Sequence, residues 1–312
     1  MTPHQNPPTR SAAAPNDHWY QWLMHSRHAD DPQELALLRS ETARQAERVL
    51  VGAQLQPGMT LVDLGCGDGL VGLRAAEILS GNLRLILTDI SAPLLDQARA
   101  SAAQRGMLSQ CVFIECNADD LSALPDASVD AVTTRSVLAY VAQRQRAFDE
   151  IWRVLRPGGR LSVAEPMLID EARFACALRA AVEAVAPAER DLFLTLLHRV
   201  KAAQFPDTQE AMAACPMTSY TERDLVTLAC NSGFGQIHME LHIDVRPSRF
   251  SSWHAFMGSA PHPLAPSLSD VLRDQFSADE RAFFEQQVRP GIEDASTLAH
   301  ERMVYLTAQK AV

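Results

Sequence analysis

The stretch Leu61-Val62-Asp63-Leu64-Gly65-Cys66-Gly67-Asp68-Gly69 is the part of this chain most able to hold a ligand. An apolar run leads into it and a helical pattern follows, so its glycines occupy a strand-to-helix turn. There they permit a tight bend and let backbone N–H groups approach a ligand closely. Asp89 stands twenty residues beyond Gly69, just past the next apolar run. A carboxylate at that place can bind both hydroxyls of a ribose. Loop and acid together point to an adenosine-type ligand. The dinucleotide fingerprint is incomplete, because Leu70 stands where its third glycine belongs. Asp63 and Asp68 also surround the loop with negative charge, which would repel a pyrophosphate. That disfavours an NAD-dependent oxidoreductase and favours a cationic, phosphate-free ligand.

Other chemistries have less support. The ten histidines are scattered, with no HxH or HExxH, so no metal site is expected. His238 and His242 lie four apart, but on a strand pattern rather than in helical ligand register. No GxSxG or phosphate-binding loop is present. The six cysteines (66, 111, 116, 176, 215 and 230) form no CxxC pair and read as reduced thiols. Cys66 reads as a small filler among the loop glycines rather than a nucleophile.

S-adenosylmethionine, with its sulfonium and ammonium groups, is a ligand of the required kind. The chain resembles the class I S-adenosylmethionine-dependent methyltransferases. The branch it is most similar to holds the ubiquinone/menaquinone-biosynthesis and arsenite enzymes. The resemblance rests on LVDLGCGDG (61–69), LTDIS (87–91), NADDL (117–121), LPDASVDAVTTRSVLAYV (124–141) and IWRVLRPGGRLSVAEP (151–166). It implies that Asp63, Gly65, Gly67 and Asp68, with Cys66 and Gly69 in the same loop, line the methionine end. It implies that Asp89 binds the ribose and that Ile90 lies against the adenine. Asn117, Ala118 and Asp119 would read the adenine edge. Arg135 and Ser136 would face the sulfonium and the acceptor. Methyl transfer of this kind is an in-line displacement, in which alignment and exclusion of water dominate. A base is needed only for an acceptor protonated at working pH. The catalytic residue therefore stays open, with Arg135, His18, His25 and His254 as candidates and His28 and His198 behind them. The acceptor would meet aromatic side chains: Trp19, Tyr20, Trp22, Tyr140 and Trp253. A trithiolate arsenite site would use Cys176 and Cys215, but no cysteine beyond 230 completes it.

The elements that must hold these residues follow an α/β rhythm. Short apolar runs at Thr60–Leu64, Leu83–Thr88, Val112–Glu115, Ala131–Thr134 and Arg160–Ala164 alternate with helical patterns at Val71–Leu79, Pro93–Arg105 and Ala147–Leu155. That predicts a Rossmann-like, doubly wound sheet. Gln236–Val245 and Arg302–Ala308 supply a sixth and a seventh strand, and the resemblance implies that the last is antiparallel. The expected organisation is a disordered tail (1–16), a helical and aromatic lid segment (17–56) and a cofactor-binding core (57–166). A helical cap insertion (167–220) follows, then the rest of the core (221–312) with a second insertion at about 247–298.

At 312 residues and 47% hydrophobic, the chain can bury a full core. No apolar run approaches the length of a membrane span. The net charge of −10 argues against a nucleic-acid backbone as main partner. The expectation is a cytoplasmic methyltransferase, monomer or homodimer, acting on an O, N, C or S atom of a small metabolite. A non-catalytic S-adenosylmethionine-binding regulator is the alternative from another class.

Overall fold

The computed structural model describes residues 17–248 and 250–312. The tail expected at 1–16 lies outside the described residues. Chain order is α1 (His18–Gln21), a π-turn (Trp22–Ser26), α2 (Pro32–Ala53), β1 (Thr60–Leu64), α3 (Leu70–Ile78), β2 (Arg84–Asp89) and α4 (Ala92–Gln104). Then come β3 (Cys111–Glu115), β4 (Val129–Arg135), α5 (Arg144–Val154), β5 (Leu155–Pro166), α6 (Ile169–Glu183), α7 (Leu192–Gln204) and α8 (Gln209–Ala214). The chain closes with α9 (Glu222–Asn231), β6 (Phe234–Pro247), α10 (Trp253–Gly258), α11 (Leu268–Gln275), α12 (Ala278–Glu293) and β7 (Leu298–Lys310).

The seven strands form one sheet in the order β3-β2-β1-β4-β5-β7-β6. The first five pair in parallel, and β7 runs antiparallel between β5 and β6. This is the expected doubly wound sheet with an antiparallel last strand. β1 is buried along its whole length, as a central parallel strand covered on both faces must be. Alternate residues feed two cores. Val62, Leu64 and Val132 pack with Phe148 and Ile151 of α5 and Leu225 of α9. Leu61, Leu85 and Leu87 pack with Ala46 and Val49 of α2, Leu73 of α3 and Leu95 of α4. Each fully buried Val, Leu, Ile or Phe among them contributes about 1.5–3 kcal/mol from leaving water.

The outer strands depart from the sequence expectation. β6 and β7 run longer than the apolar alternation suggests. They pair from Phe234↔Lys310 to Pro247↔Leu298, whereas β5 accompanies β7 only from Gln309 to Met303. Beyond Met303 the two strands continue as a ribbon outside the main sheet. Its residues are largely exposed, and its β7 half, residues 298–302, carries no apolar alternation. The helical stretch after Pro166 is also broken: α6 stops at Glu183 and α7 starts at Leu192, with Pro187 between. The two insertions do not form separate units. α7, from the first, shares a core with α11 and α12, from the second, through Leu196, Val200, Leu268, Leu272, Phe276 and Phe284. Among the described residues no helix is long and apolar enough to cross a membrane.

Candidate functional site

β1 ends at Leu64, and the turn into α3 lies at the carboxyl edge of the sheet, where doubly wound folds hold ligands. Gly65 has φ +65°, and a Cβ there would sit 2.3 Å from Val137 Cγ2. Only glycine fits this crossing of the β1 turn and the loop after β4. Asp63 points down beside the turn. It accepts from Gly72 N at 2.8 Å and Thr133 Oγ1 at 3.0 Å. Burial lifts its carboxyl to about 7, partly offset by those two donors. Asp89 closes β2 and accepts from Gly67 N at 2.8 Å and Ser91 N at 2.9 Å. Burial raises its carboxyl as well. These bonds lock Asp89 to the glycine turn.

The opposite wall is the loop after β4. Ser136 is held in the left-handed region at φ +59°, a strained setting for a non-glycine residue. Glu165, the penultimate residue of β5, fixes this loop from behind. Its fully buried carboxylate accepts from Val137 N at 2.7 Å, Leu138 N at 2.9 Å and Ala139 N at 3.3 Å. Desolvation raises it to about 7 against those donors. Arg135 is enclosed above Thr133 and donates to Gln45 Oε1 and Ser136 Oγ, both at 3.4 Å. Burial lowers its basicity, while Asp68, Asp63 and Glu165 favour its charge. Tyr140 carries its phenol into the same space, and burial pushes its pKa well up.

The N-terminal segment roofs this space. Leu23 Cδ2 lies 3.0 Å from where a Cβ on Gly67 would be, and Trp19 meets Tyr140 edge-on at 5.0 Å. Ser91 Oγ donates to Asp17 Oδ2 at 2.7 Å. Trp22 Nε1 donates to Ala260 O at 2.9 Å, and Ala260 N donates to Ser26 O at 2.8 Å. The roof is thus stitched to the glycine turn and the start of α4 on one side and to the second insertion on the other.

The result is a cavity of about 330 Å³, at the lower end for a small-molecule site. Most residues singled out from the sequence meet in its walls. Asp63, Gly65, Cys66, Gly67 and Asp68 come from the turn, Asp89 and Ile90 from the end of β2. Asn117, Ala118 and Asp119 follow β3, and Arg135, Ser136 and Tyr140 follow β4. Trp19 and Trp22 reach it from the roof.

Others do not meet there. Gly69 is the left-handed cap of α3, and its Cβ position faces Leu73 and Ala98, away from the cavity. Tyr20 lies outside the walls, tilted against His25. Trp253 packs on Phe256, under Arg289, in the second insertion. The histidine candidates are also elsewhere. His18 stacks obliquely on Trp19, exposed His25 pairs with Asp30 and His254 is exposed on α10. His28 is buried and His198 pairs with Asp207. Cys176 Sγ contacts Met212 Sδ where α6 meets α8. Among the described residues no group of three His, Cys, Asp or Glu is placed to hold a metal.

Sequence reasoning missed Arg27, Leu23, Val137 and Pro263, which also line the cavity. It also missed Glu165 behind the wall. A signal existed for Glu165, an acid ending the fifth apolar run. None existed for Arg27, whose place depends on the fold of the roof.

A methyltransferase-domain profile matches residues 62–163. Residues 62–163 belong to the class I S-adenosylmethionine-dependent methyltransferases. The tRNA 5-carboxymethoxyuridine methyltransferase of Escherichia coli K12 is 35% identical over 118 residues, 38% of this chain and 43% of that protein. The ubiquinone/menaquinone biosynthesis C-methyltransferase UbiE of Xanthomonas oryzae is 34% identical over 113 residues, 36% of this chain and 44% of its own. The matched stretch therefore covers less than half of either relative. The YcgJ protein of Bacillus subtilis shares the fold at TM-score 0.50 and 13% identity, over 86% of this chain and 99% of that one. Phosphoethanolamine N-methyltransferase 2 of Haemonchus contortus does so at TM-score 0.50 and 13% identity, over 94% and 60%.

The family's cofactor is S-adenosylmethionine, and the cavity's groups fit it. Four carboxylates (Asp63, Asp68, Asp89 and Asp119) face two guanidinium groups (Arg27 and Arg135). Such an acidic wall suits a cationic ligand and opposes a pyrophosphate.

Proposed function

We propose that this protein transfers the methyl group of S-adenosylmethionine to a small-molecule acceptor. The observation that carries the reading is the single roofed cavity joining the glycine turn and Asp89 to a second, aromatic end under Trp19 and Trp22. Asp89 would take the ribose hydroxyls, since its oxygens are already oriented by Gly67 N and Ser91 N. Residues 117–119 would flank the adenine with Ile90. Asp63 and Asp68 would face the cationic methionine end. The bound sulfonium supplies an electrophilic methyl group. The chain's part is then to orient and to exclude water. Val137, held by Glu165, and Ser136, whose N–H donates to Ala164 O, set the wall past which an acceptor atom must approach. Trp19, Tyr140 and Trp22 offer apolar faces to the acceptor. No histidine lines the cavity, so the reading needs no histidine base.

A small acceptor is favoured over a polynucleotide by the roof and by the net charge of −10. The test is transfer of a labelled methyl group from S-adenosylmethionine. Incubation with a metabolite extract should give a labelled small molecule. Label entering only tRNA, or no label with intact cofactor binding, would overturn the reading in favour of a nucleic-acid enzyme or a non-catalytic binder.

A further inference from the structure

The two edges of the sheet are built differently. β3 closes one edge with five residues. β6 closes the other with fourteen, and among the described residues nothing pairs with its outer side. Native edge strands are usually blunted by shortness, by proline, by lysine or by bulges. Here the irregularity lies at Gly235/His238 and the proline at Pro247, so the run between them holds no proline, lysine or bulge; its charges are Asp244 and Glu240, the latter also paired with Arg48 of α2. Most of this run is exposed, Ile243 and Val245 each to about half. A long, regular, half-apolar edge of this kind is a template for another strand.

The side chains of the run are self-complementary. From Ile237 to Val245 the strand reads Ile-His-Met-Glu-Leu-His-Ile-Asp-Val, alternating apolar and polar throughout. Leu241 is its centre. One step away stand Glu240 and His242, and two steps away Met239 and Ile243. Three steps away stand His238 and Asp244, and four steps away Ile237 and Val245. Suppose a second copy lies antiparallel with Leu241 opposite its own copy. His242 then faces Glu240 of the second copy, and Asp244 faces His238, each twice by symmetry. Every residue of the other face meets an apolar partner. Shifting the register by two residues brings Glu240 opposite Asp244 and ends the match. Opposite charges directly across an antiparallel pair are favourable and like charges are not.

We infer that the outer edge of β6 is a homodimer interface, in which two copies pair antiparallel about Leu241 to join their sheets into one. The contact is isologous and closes on itself, so it caps the edge rather than propagating it. It lies outside the cavity walls and is independent of the methyl-transfer reading.

The test is sedimentation equilibrium of the full chain, with circular dichroism of each variant as a folding control. The wild-type protein should be a dimer. Leu241→Lys sets two ammonium groups side by side at the axis, and His238→Glu sets a carboxylate against Asp244. Either should raise the dimer dissociation constant about tenfold or more; Leu241 also packs on the core beneath β6, so His238→Glu, at an exposed position, carries the comparison if Leu241→Lys loses its fold. Adding Asp244→Lys to His238→Glu should restore the dimer, because the swapped charges again face each other. Within one copy His238 contacts Glu240 of its own strand, which the swap leaves disturbed, so a dimer restored by Asp244→Lys reads the pairing between copies. A wild-type monomer at 100 times the concentration of a routine assay would overturn the proposal. So would a dimer indifferent to Leu241→Lys and His238→Glu. A dimer broken by His238→Glu but not rescued by the swap would overturn this register.

Discussion

The two ends of the cavity are made in different ways. The end proposed to hold the adenosine comes from consecutive strand-to-helix turns: 65–69 after β1, Asp89 after β2 and 117–119 after β3. Its bonds are short in space and set by local backbone, as in Gly67 N to Asp89. The end proposed to take the acceptor is assembled from distant parts of the chain. Trp19 and Trp22, Tyr140 after β4 and Pro263 in the second insertion meet only because the roof is tied to Ala260. The difference teaches that the first end is fixed by turn geometry, whereas the second depends on tertiary contacts between segments 238 residues apart.

The sharpest way to break the first end is Gly65→Ala. Its methyl group would meet Val137 at 2.3 Å in a backbone region that alanine rarely adopts. Affinity for S-adenosylhomocysteine should fall about 100-fold by calorimetry, given the usual strain of such positions. The second end should be reached only indirectly.

Next in size is a pH effect. Burial lifts Asp63 to about 7, while a cationic ligand favours its ionised form. Affinity for S-adenosylmethionine should therefore drop as pH falls from 7 to 5.5, by about tenfold at most per unit. Asp63→Asn should flatten that slope. The same shift acts on folding with the opposite sign. Between about pH 4 and 7 the folded protein holds this proton and the unfolded chain does not. The contribution of Asp63 to the stability of the ligand-free protein thus falls as pH rises through that window. A melting series of wild type against Asp63→Asn checks it.

The smallest effects belong to the second end. Trp19→Ala should raise the KM for the acceptor about tenfold and leave cofactor affinity within about twofold. Trp253→Ala, which lies off the cavity, should change both by less than about twofold. Equal losses in the two variants would erase the distinction between roof and insertion.

What could be read from the sequence divides along the same line. β1 has the bounds that periodicity predicts, and Asp89 lies where loop spacing puts it. Those features follow from a local pattern. Trp253 and Tyr20 were expected at the cavity because they are aromatic, but an aromatic side chain carries no address. Trp253 instead lies against Phe256 with Arg289 over its ring. Arg27 went unseen because its direction follows from the π-turn after α1. The ribbon half of β7 was invisible because its stabilising partner is β6 rather than a core. Glu165 was legible as an acid at a strand end, and its three backbone donors appear only once the loop after β4 is folded back.

The central claim is that the cavity between the glycine turn and Asp89 holds S-adenosylmethionine. Calorimetric titration with S-adenosylmethionine, S-adenosylhomocysteine and NAD, on wild type and Asp89→Ala, tests it directly. The account predicts micromolar binding of both adenosyl ligands, no binding of NAD, and a loss of about tenfold to 100-fold in Asp89→Ala from the missing charge-assisted hydrogen bonds. Binding of NAD alone, or adenosyl binding unchanged in Asp89→Ala, would contradict it.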